Sequence, residues 1–456
     1  MKFKLPLIGL TFTAALIATP AFAGIMKFNA FKINEARSKY LISSETIIVK
    51  VKSPSAFSRR HGGMGEFTPF FVTESGTWGY FKLHMLPDAL TAAGIINDLS
   101  EDLDIEHAYY APIPKLATMT ENSQDTVETD YVQETPDFES QQNYLKPSPT
   151  GVGAIAAWEI PGGTGKNVKV IDIETCFEDR HEDFETPFYV GANPRHCDST
   201  DHGTAVWGEV AAKRDGKGVT GIAHESQFGI YGFIEGDLAD VDDQYTRSIN
   251  QAIQGATENL DAGDVIIIEQ QMVGPDLKKY TAVEFWPHIF DQLKAATKKG
   301  IHCVQAAGNG NSNFDEAAYE GAFDLKKRDS GCIMVGAVGP ADKERLSFSN
   351  YGSRVDVSGY GRGVVTTGYG DLFNQAPERK YTARFSGTSS ATPIVSGVVA
   401  VVSSIAKEHR KNISPKNMRE MLRKTGVPQG PATLRQRVGN FPSIEQMLNK
   451  IRIRRR

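Results

Sequence analysis

Apolar residues along this chain recur with different spacings, and each spacing predicts its own kind of element. "TIIVKVK" (46–52) and "GYFKLHM" (79–85) alternate apolar and polar side chains, the period of a half-buried strand. "DALTAAGIINDLS" (88–100) predicts a helix capped by Asp88, and "IEHAYYA" (105–111) returns to a strand. Residues 24–115 therefore form a small α+β unit. From about residue 150 the apolar runs become continuous: "VKVID" (168–172), "QFGIYGF" (227–233), "DVIIIEQ" (264–270), "GIHCVQAAG" (300–308) and "CIMVGAV" (332–338). Helical stretches, including 244–259 and 282–299, separate them. That alternation predicts an α/β fold, a doubly wound, mostly parallel sheet with helices on both faces.

One further helix follows "RFSGTSSATPIVSG" (384–397). Gly387 supplies a turn, and Pro393 is expected in the first turn, where a missing N–H costs nothing. Ile394, Val395, Val398, Val399, Val402 and Ile405 make the helix apolar nearly all round, hence buried. Ser389 then sits at its positive end, a place that suits an oxyanion and equally suits an ordinary cap.

Between the two regions, residues 116–145 carry seven acidic residues and no Lys or Arg, which predicts an exposed linker open to proteolysis. The region 146–456 is the second domain. It ends in a basic stretch, 407–456, with 14 Lys/Arg against three Glu. Ser414-Pro415 and Ser443-x-x-Gln446 mark two short helices there. The bland account of this stretch is a solvated face with a frayed tail.

The N-terminus joins Lys2 and Lys4 to an apolar stretch and an Ala21-Phe22-Ala23 site, so residues 1–23 read as a secretory signal cut after Ala23. No later run reaches the roughly 18 uninterrupted apolar residues of a spanning helix. An exported protein, extracellular or periplasmic, with no transmembrane segment is expected. The net charge of −5 argues against nucleic acid as a partner. Four cysteines in an exported chain predict two disulfides with three possible pairings. Cys176 and Cys197 flank a charged loop and are the closer pair; Cys303 and Cys332 lie in apolar runs. A zinc site of Cys176, His181, His196 and Cys197 is the rival, but its spacing matches no familiar metal pattern.

In open parallel sheets ligands bind beyond the carboxyl ends of strands. Asp172 ends "VKVID", His202 opens a helix in "HGTAVWGEVAA", and Asn309 follows "IHCVQAAG". With Ser389 they form a set with defined jobs. The hydroxyl needs a base, the imidazole needs a carboxylate, and a tetrahedral oxyanion needs fixed donors.

"VKVIDIE", "DHGTAVWGEVAA", "AAGNG" and "SGTSSATPIVSGVVA" together resemble, in order, the signature segments of the subtilisin-like serine proteases. The likeness spans about 165–405. It implies a serine endopeptidase acting on proteins or peptides, with Asp172 as orienting acid, His202 as base, Ser389 as nucleophile and Asn309 as oxyanion donor. It also implies that residues 24–115 are an inhibitory propeptide, removed by self-processing within 110–140. Several segments depart from the common pattern. Glu174 stands where glycine is usual, a conceivable alternative acid on the same side of the strand as Asp172. Ala205 replaces a frequent histidine. "EQQMVGP" puts Glu269, Gln270 and Gln271 at the wall of the first specificity pocket. Asp242 and Asp243 align with the segment that pairs with substrate, which predicts a preference for Lys or Arg upstream of the cut. The loop "KRDGKG" (213–218), often a calcium site in relatives, carries three positive charges, so calcium is unsupported and no cofactor is required. An esterase of the α/β-hydrolase type fails on the order of its triad, and an inactive binding scaffold is disfavoured by four intact catalytic positions.

Overall fold

The structure is a computed structural model that describes residues 42–85, 89–117, 133–191, 199–232 and 249–451. The expected signal peptide lies outside these residues. Among the described residues the N-terminal unit is a four-stranded antiparallel sheet, in the order β2-β3-β1-β4, with two helices. Its elements are β1 (Ile42–Val51), α1 (Pro54–His61), β2 (Gly65–Val72), β3 (Thr77–Leu83), α2 (Ala89–Glu101) and β4 (Ile105–Pro112). The alternation of β1 and β3 works as expected, with Ile47, Val49 and Phe81 in the core. β2 contains Pro69, which has no N–H for a ladder. It is tolerated because β2 is an edge strand whose register shifts between Pro69 and Phe71.

The chain then runs as β5 (Lys115–Leu116), α3 (Ala154–Trp158), β6 (Lys169–Glu174), β7 (Tyr189–Val190), α4 (Asp201–Ala211) and β8 (Gln227–Gly232). It continues through α5 (Ile249–Asn259), β9 (Val265–Ile268), β10 (Gln270–Val273), β11 (Tyr280–Ala282), α6 (Pro287–Lys298), β12 (His302–Ala306) and β13 (Ile333–Val338). A seven-stranded sheet, β14-β13-β12-β9-β6-β8-β7, is parallel throughout, with β14 at Val357–Tyr360. The continuous apolar runs are its inner strands, since both faces are covered. A small antiparallel sheet of β15 (Val364–Thr367), β16 (Phe373–Asn374) and β17 (Lys380–Phe385) leads into α7 (Thr388–Glu408).

α7 is long and apolar enough to cross a membrane, yet it is wholly buried beneath the sheet. Its six aliphatic residues named above are inaccessible, a gross hydrophobic gain of about 9–18 kcal/mol at ~1.5–3 kcal/mol each. Pro393 is not in the first turn but in the sixth position of the helix. The helix begins earlier than its apolar face because Gly387, at φ 103°, turns the chain directly into it. α8 (Pro415–Lys424) and α9 (Ile444–Lys450) follow, each capped by its expected serine, Ser414 accepting from Asn417 N–H and Ser443 from Gln446 N–H.

Two expectations are corrected here. Residues 133–145 do not form an exposed linker: Phe138, Tyr144 and Leu145 are buried, and Tyr144 Oη donates to the Val365 carbonyl at 3.0 Å. Cys303 and Cys332 are free buried thiols, not half of a disulfide framework. They lie side by side in the core, Cys303 near the start of β12 and Cys332 just before β13. Burial pushes the Cys332 thiol far up, which keeps it unreactive. Cys176 is disulfide-bonded; Cys197 lies outside the described residues.

Candidate active site

Four chain segments converge at the carboxyl ends of the central strands. β6 ends on Glu174, α4 begins one residue before His202, the turn after β12 carries Asn309, and α7 begins at Thr388. His202 Nδ1 lies 2.9 Å from Glu174 Oε2. The histidine's carboxylate partner is thus Glu174 and not Asp172. Both side chains point to the same face of β6, as alternation requires, but the later and longer one reaches the helix. Gly203 makes room for it: a Cβ there would fall 2.4 Å from the Cys176 carbonyl oxygen and 2.7 Å from Glu174 Cγ.

The other ring nitrogen, His202 Nε2, and the hydroxyl of Ser389 are both buried without a hydrogen-bond partner. An unpaired buried donor or acceptor is costly, so such pairs mark sites completed by a substrate or by small motions during reaction. Phe385, edge-on to the His202 ring at 5.4 Å, walls one side.

A peptide carbonyl already sits beside Ser389, held by the backbone and by Asn309. Ala117 O accepts from Ser389 N–H at 3.1 Å and from Asn309 Nδ2 at 2.7 Å. The Asn309 amide has one orientation only. Its Oδ1 accepts from the backbone N–H and the hydroxyl of Thr388, so its NH₂ must face Ala117. Its backbone N–H is held by Gln271 Oε1 at 2.7 Å. The arrangement is a two-donor oxyanion hole aimed at one specific carbonyl.

The chain before Ala117 lies as β5, antiparallel to β10, with Leu116 opposite Gln270 and Lys115 opposite Gln271. Ala117 N–H donates to the Glu269 carbonyl at 3.0 Å, and Gln271 Nε2 donates to the Leu116 carbonyl at 3.1 Å. Of the three expected specificity residues only Gln271 presents its side chain to this strand. The Gln270 amide turns inward to the Ile173 carbonyl, and the Glu269 carboxyl is buried beside Asp172. Burial, and then the neighbouring carboxylates, push both Asp172 and Glu269 well above the ordinary carboxyl range. Asp242 and Asp243 lie outside the described residues.

The loop 213–218 folds its cations onto its neighbours: Arg214 pairs with Glu139 and Lys217 with Glu182. Asp183 beneath it accepts from Val219 N–H and the Tyr381 hydroxyl. Burial raises that carboxyl to about 7. No group of three or more His, Cys, Asp or Glu suited to a metal occurs among the described residues.

Residues 115–440 match the subtilase family. The chain is 28% identical over 319 residues to an intracellular serine protease of Paenibacillus polymyxa, covering 67% of this chain and 85% of that one. It is 29% identical over 262 residues to a subtilisin of Bacillus pumilus, covering 56% and 84%. Fervidolysin from Fervidobacterium pennivorans, a keratinolytic enzyme related to subtilisin, is structurally similar with a TM-score of 0.60 at 19% identity. That comparison covers 90% of this chain and 61% of fervidolysin. The fold is subtilisin-like, and the chain belongs to the subtilase family. It is a subtilisin-like serine endopeptidase.

Proposed function

We propose that this endopeptidase is exported as a zymogen and cuts its own chain between Ala117 and Thr118. The observation that carries the reading is the Ala117 carbonyl seated on Ser389 N–H and Asn309 Nδ2, with the preceding residues paired as a strand to β10. Ser389 Oγ adds to the Ala117 carbonyl carbon while His202 Nε2 takes the hydroxyl proton. Glu174 holds the ring through Nδ1 and stabilises the imidazolium that forms. The two donors carry the negative oxygen of the tetrahedral intermediate. Its collapse expels the Thr118 amine, which receives the proton from His202. Water activated by the same histidine then releases the acyl group from Ser389. The freed N-terminal unit, still packed on α5 and α6, serves as the inhibitor.

Export is the reading of residues 1–23 together with a disulfide at Cys176, for which Cys197 is the proposed partner. The relative from Paenibacillus polymyxa, named an intracellular serine protease, would then differ from this chain in compartment. N-terminal sequencing of the secreted protein tests the proposal. The mature chain is expected to begin at Thr118, and Ser389→Ala made in a protease-deficient host is expected to keep its N-terminal unit. Normal maturation of Ser389→Ala would overturn self-processing.

A further inference from the structure

Three carboxyl groups, Asp172, Glu174 and Glu269, lie fully buried at the junction of β6, β9 and β10. Glu174 is accounted for by His202. Among the described residues the four carboxyl oxygens of Asp172 and Glu269 have no well-formed hydrogen bond, and the Ile173 backbone N–H gives Asp172 its one weak donor. The parallel register, Asp172 opposite Ile267 and Ile173 opposite Ile268, puts Asp172 and Glu269 on one face of neighbouring chain segments, where each acts directly on the other. Two carboxylates so poorly supplied with donors cannot both be ionised side by side out of water, whereas one proton between them satisfies both.

We propose that Asp172 and Glu269 share one proton and act as a single buried anion that positions Glu174 against His202. This rests on the assignment of Glu174 as the histidine's partner. The groups that face the pair are few. Glu174 acts on Asp172 from the same strand, Glu269 faces both, and His202 enters from α4 through Glu174. Among the described residues no lysine or arginine acts on Asp172. The pair also touches the substrate side of the site, because the backbone carbonyl of Glu269 accepts from Ala117 N–H. One residue thus holds the cleaved segment with its main chain and the acid cluster with its side chain. Asp172 and Glu269 are positioning residues: neither touches the reacting atoms.

Counting charges gives the test. Asp172→Asn or Glu269→Gln each removes one proton and one carboxyl, so the single negative charge stays and the new amide donates to the remaining carboxylate. Both single variants should keep the acid limb of the kcat/KM–pH profile of peptide hydrolysis. The double variant loses the anion. Its acid limb should move to lower pH by roughly one unit, because the imidazolium is less stabilised. An unmoved limb in the double variant would overturn the proposal by showing a neutral pair. Shifts in both single variants would overturn it by showing two anions. Glu174→Gln is measured alongside: a loss of a hundredfold or more supports the underlying assignment. Full activity there, or a collapse in Asp172→Asn as deep as in Glu174→Gln, removes that assignment instead. If the double variant fails to fold, infrared difference spectra of wild type against Glu269→Gln decide. Loss of a protonated-carboxyl band supports the shared proton, and its absence from wild type refutes it.

Discussion

Acidification from about pH 8 to about pH 5 should loosen the N-terminal unit from the catalytic domain, because two neutral histidines are sealed at their contact. His288 begins α6 and is buried, and His107 on β4 stacks on Trp78 with ring centroids 5.2 Å apart. The Tyr109 hydroxyl lies 2.8 Å from His288 Nδ1 and receives the His288 backbone N–H, which leaves its own hydrogen for the ring. The ring therefore accepts and is neutral. Burial draws His107 down to about 4 and His288 down to about 3. For a histidine held below its free value of about 6.5, the separated state binds more protons as pH falls, so the contact weakens from about pH 6.5 downward. At about pH 5 the span is about 1.5 units, or about 2 kcal/mol per ring and about 4 kcal/mol as a ceiling for both. That corresponds to a thirtyfold to thousandfold rise in the dissociation constant of the self-cut complex. The other contacts, Lys50 and Trp78 Nε1 to Asp291 and Asn250 Nδ2 to Tyr80 Oη, do not oppose the trend over this range. Size-exclusion chromatography of the cut complex at both pH values measures the effect, with His107→Gln/His288→Gln as control. A change under threefold in wild type, or an equal change in the control, would refute the argument.

Other expectations concern the site and the core. Asn309→Ala should lower kcat for peptide hydrolysis by about a hundred- to a thousandfold with little change in KM, since it removes one oxyanion donor; unaltered kcat would contradict the assignment. Arg354→Ala should destabilise the fold by about 3–5 kcal/mol in denaturant titration, because Glu284 would lose its buried ion pair and Asp356 would keep only Arg423. Peptides ending in the residues of 113–117 should lose affinity when the lysine matching Lys115 becomes glutamate, and the loss should shrink at high salt if Asp242 and Asp243 line that subsite.

The parallel core was legible because strands buried on both faces are continuous in apolar residues, and α7 because no polar stripe interrupts it. β2 was hidden by Pro69, which argues against a strand unless that strand is an edge. β5 was hidden for a different reason. Two residues carry no periodicity, and its partner Gln271 is more than 150 positions away in the chain. Ser389, His202 and Asn309 could be placed because each follows a strand or opens a helix. The orienting carboxylate was misplaced because alternation puts Asp172 and Glu174 on one face and cannot say which reaches farther. The signal was present in Gly203, whose missing side chain is the space Glu174 occupies, but a helix glycine has many causes.

β5 is more than a fragment awaiting cleavage; it is also a mould of what the mature enzyme can accept. When it leaves, β10 becomes an open sheet edge, and the next occupant must offer its own backbone in the same extended form for at least three residues. A well-folded protein has its strands paired and its helices closed, so it has no such stretch to lend. The geometry therefore selects by conformation before it selects by side chain. Tails, loose loops and chains that have lost their fold should be consumed, while compact domains in the same surroundings survive.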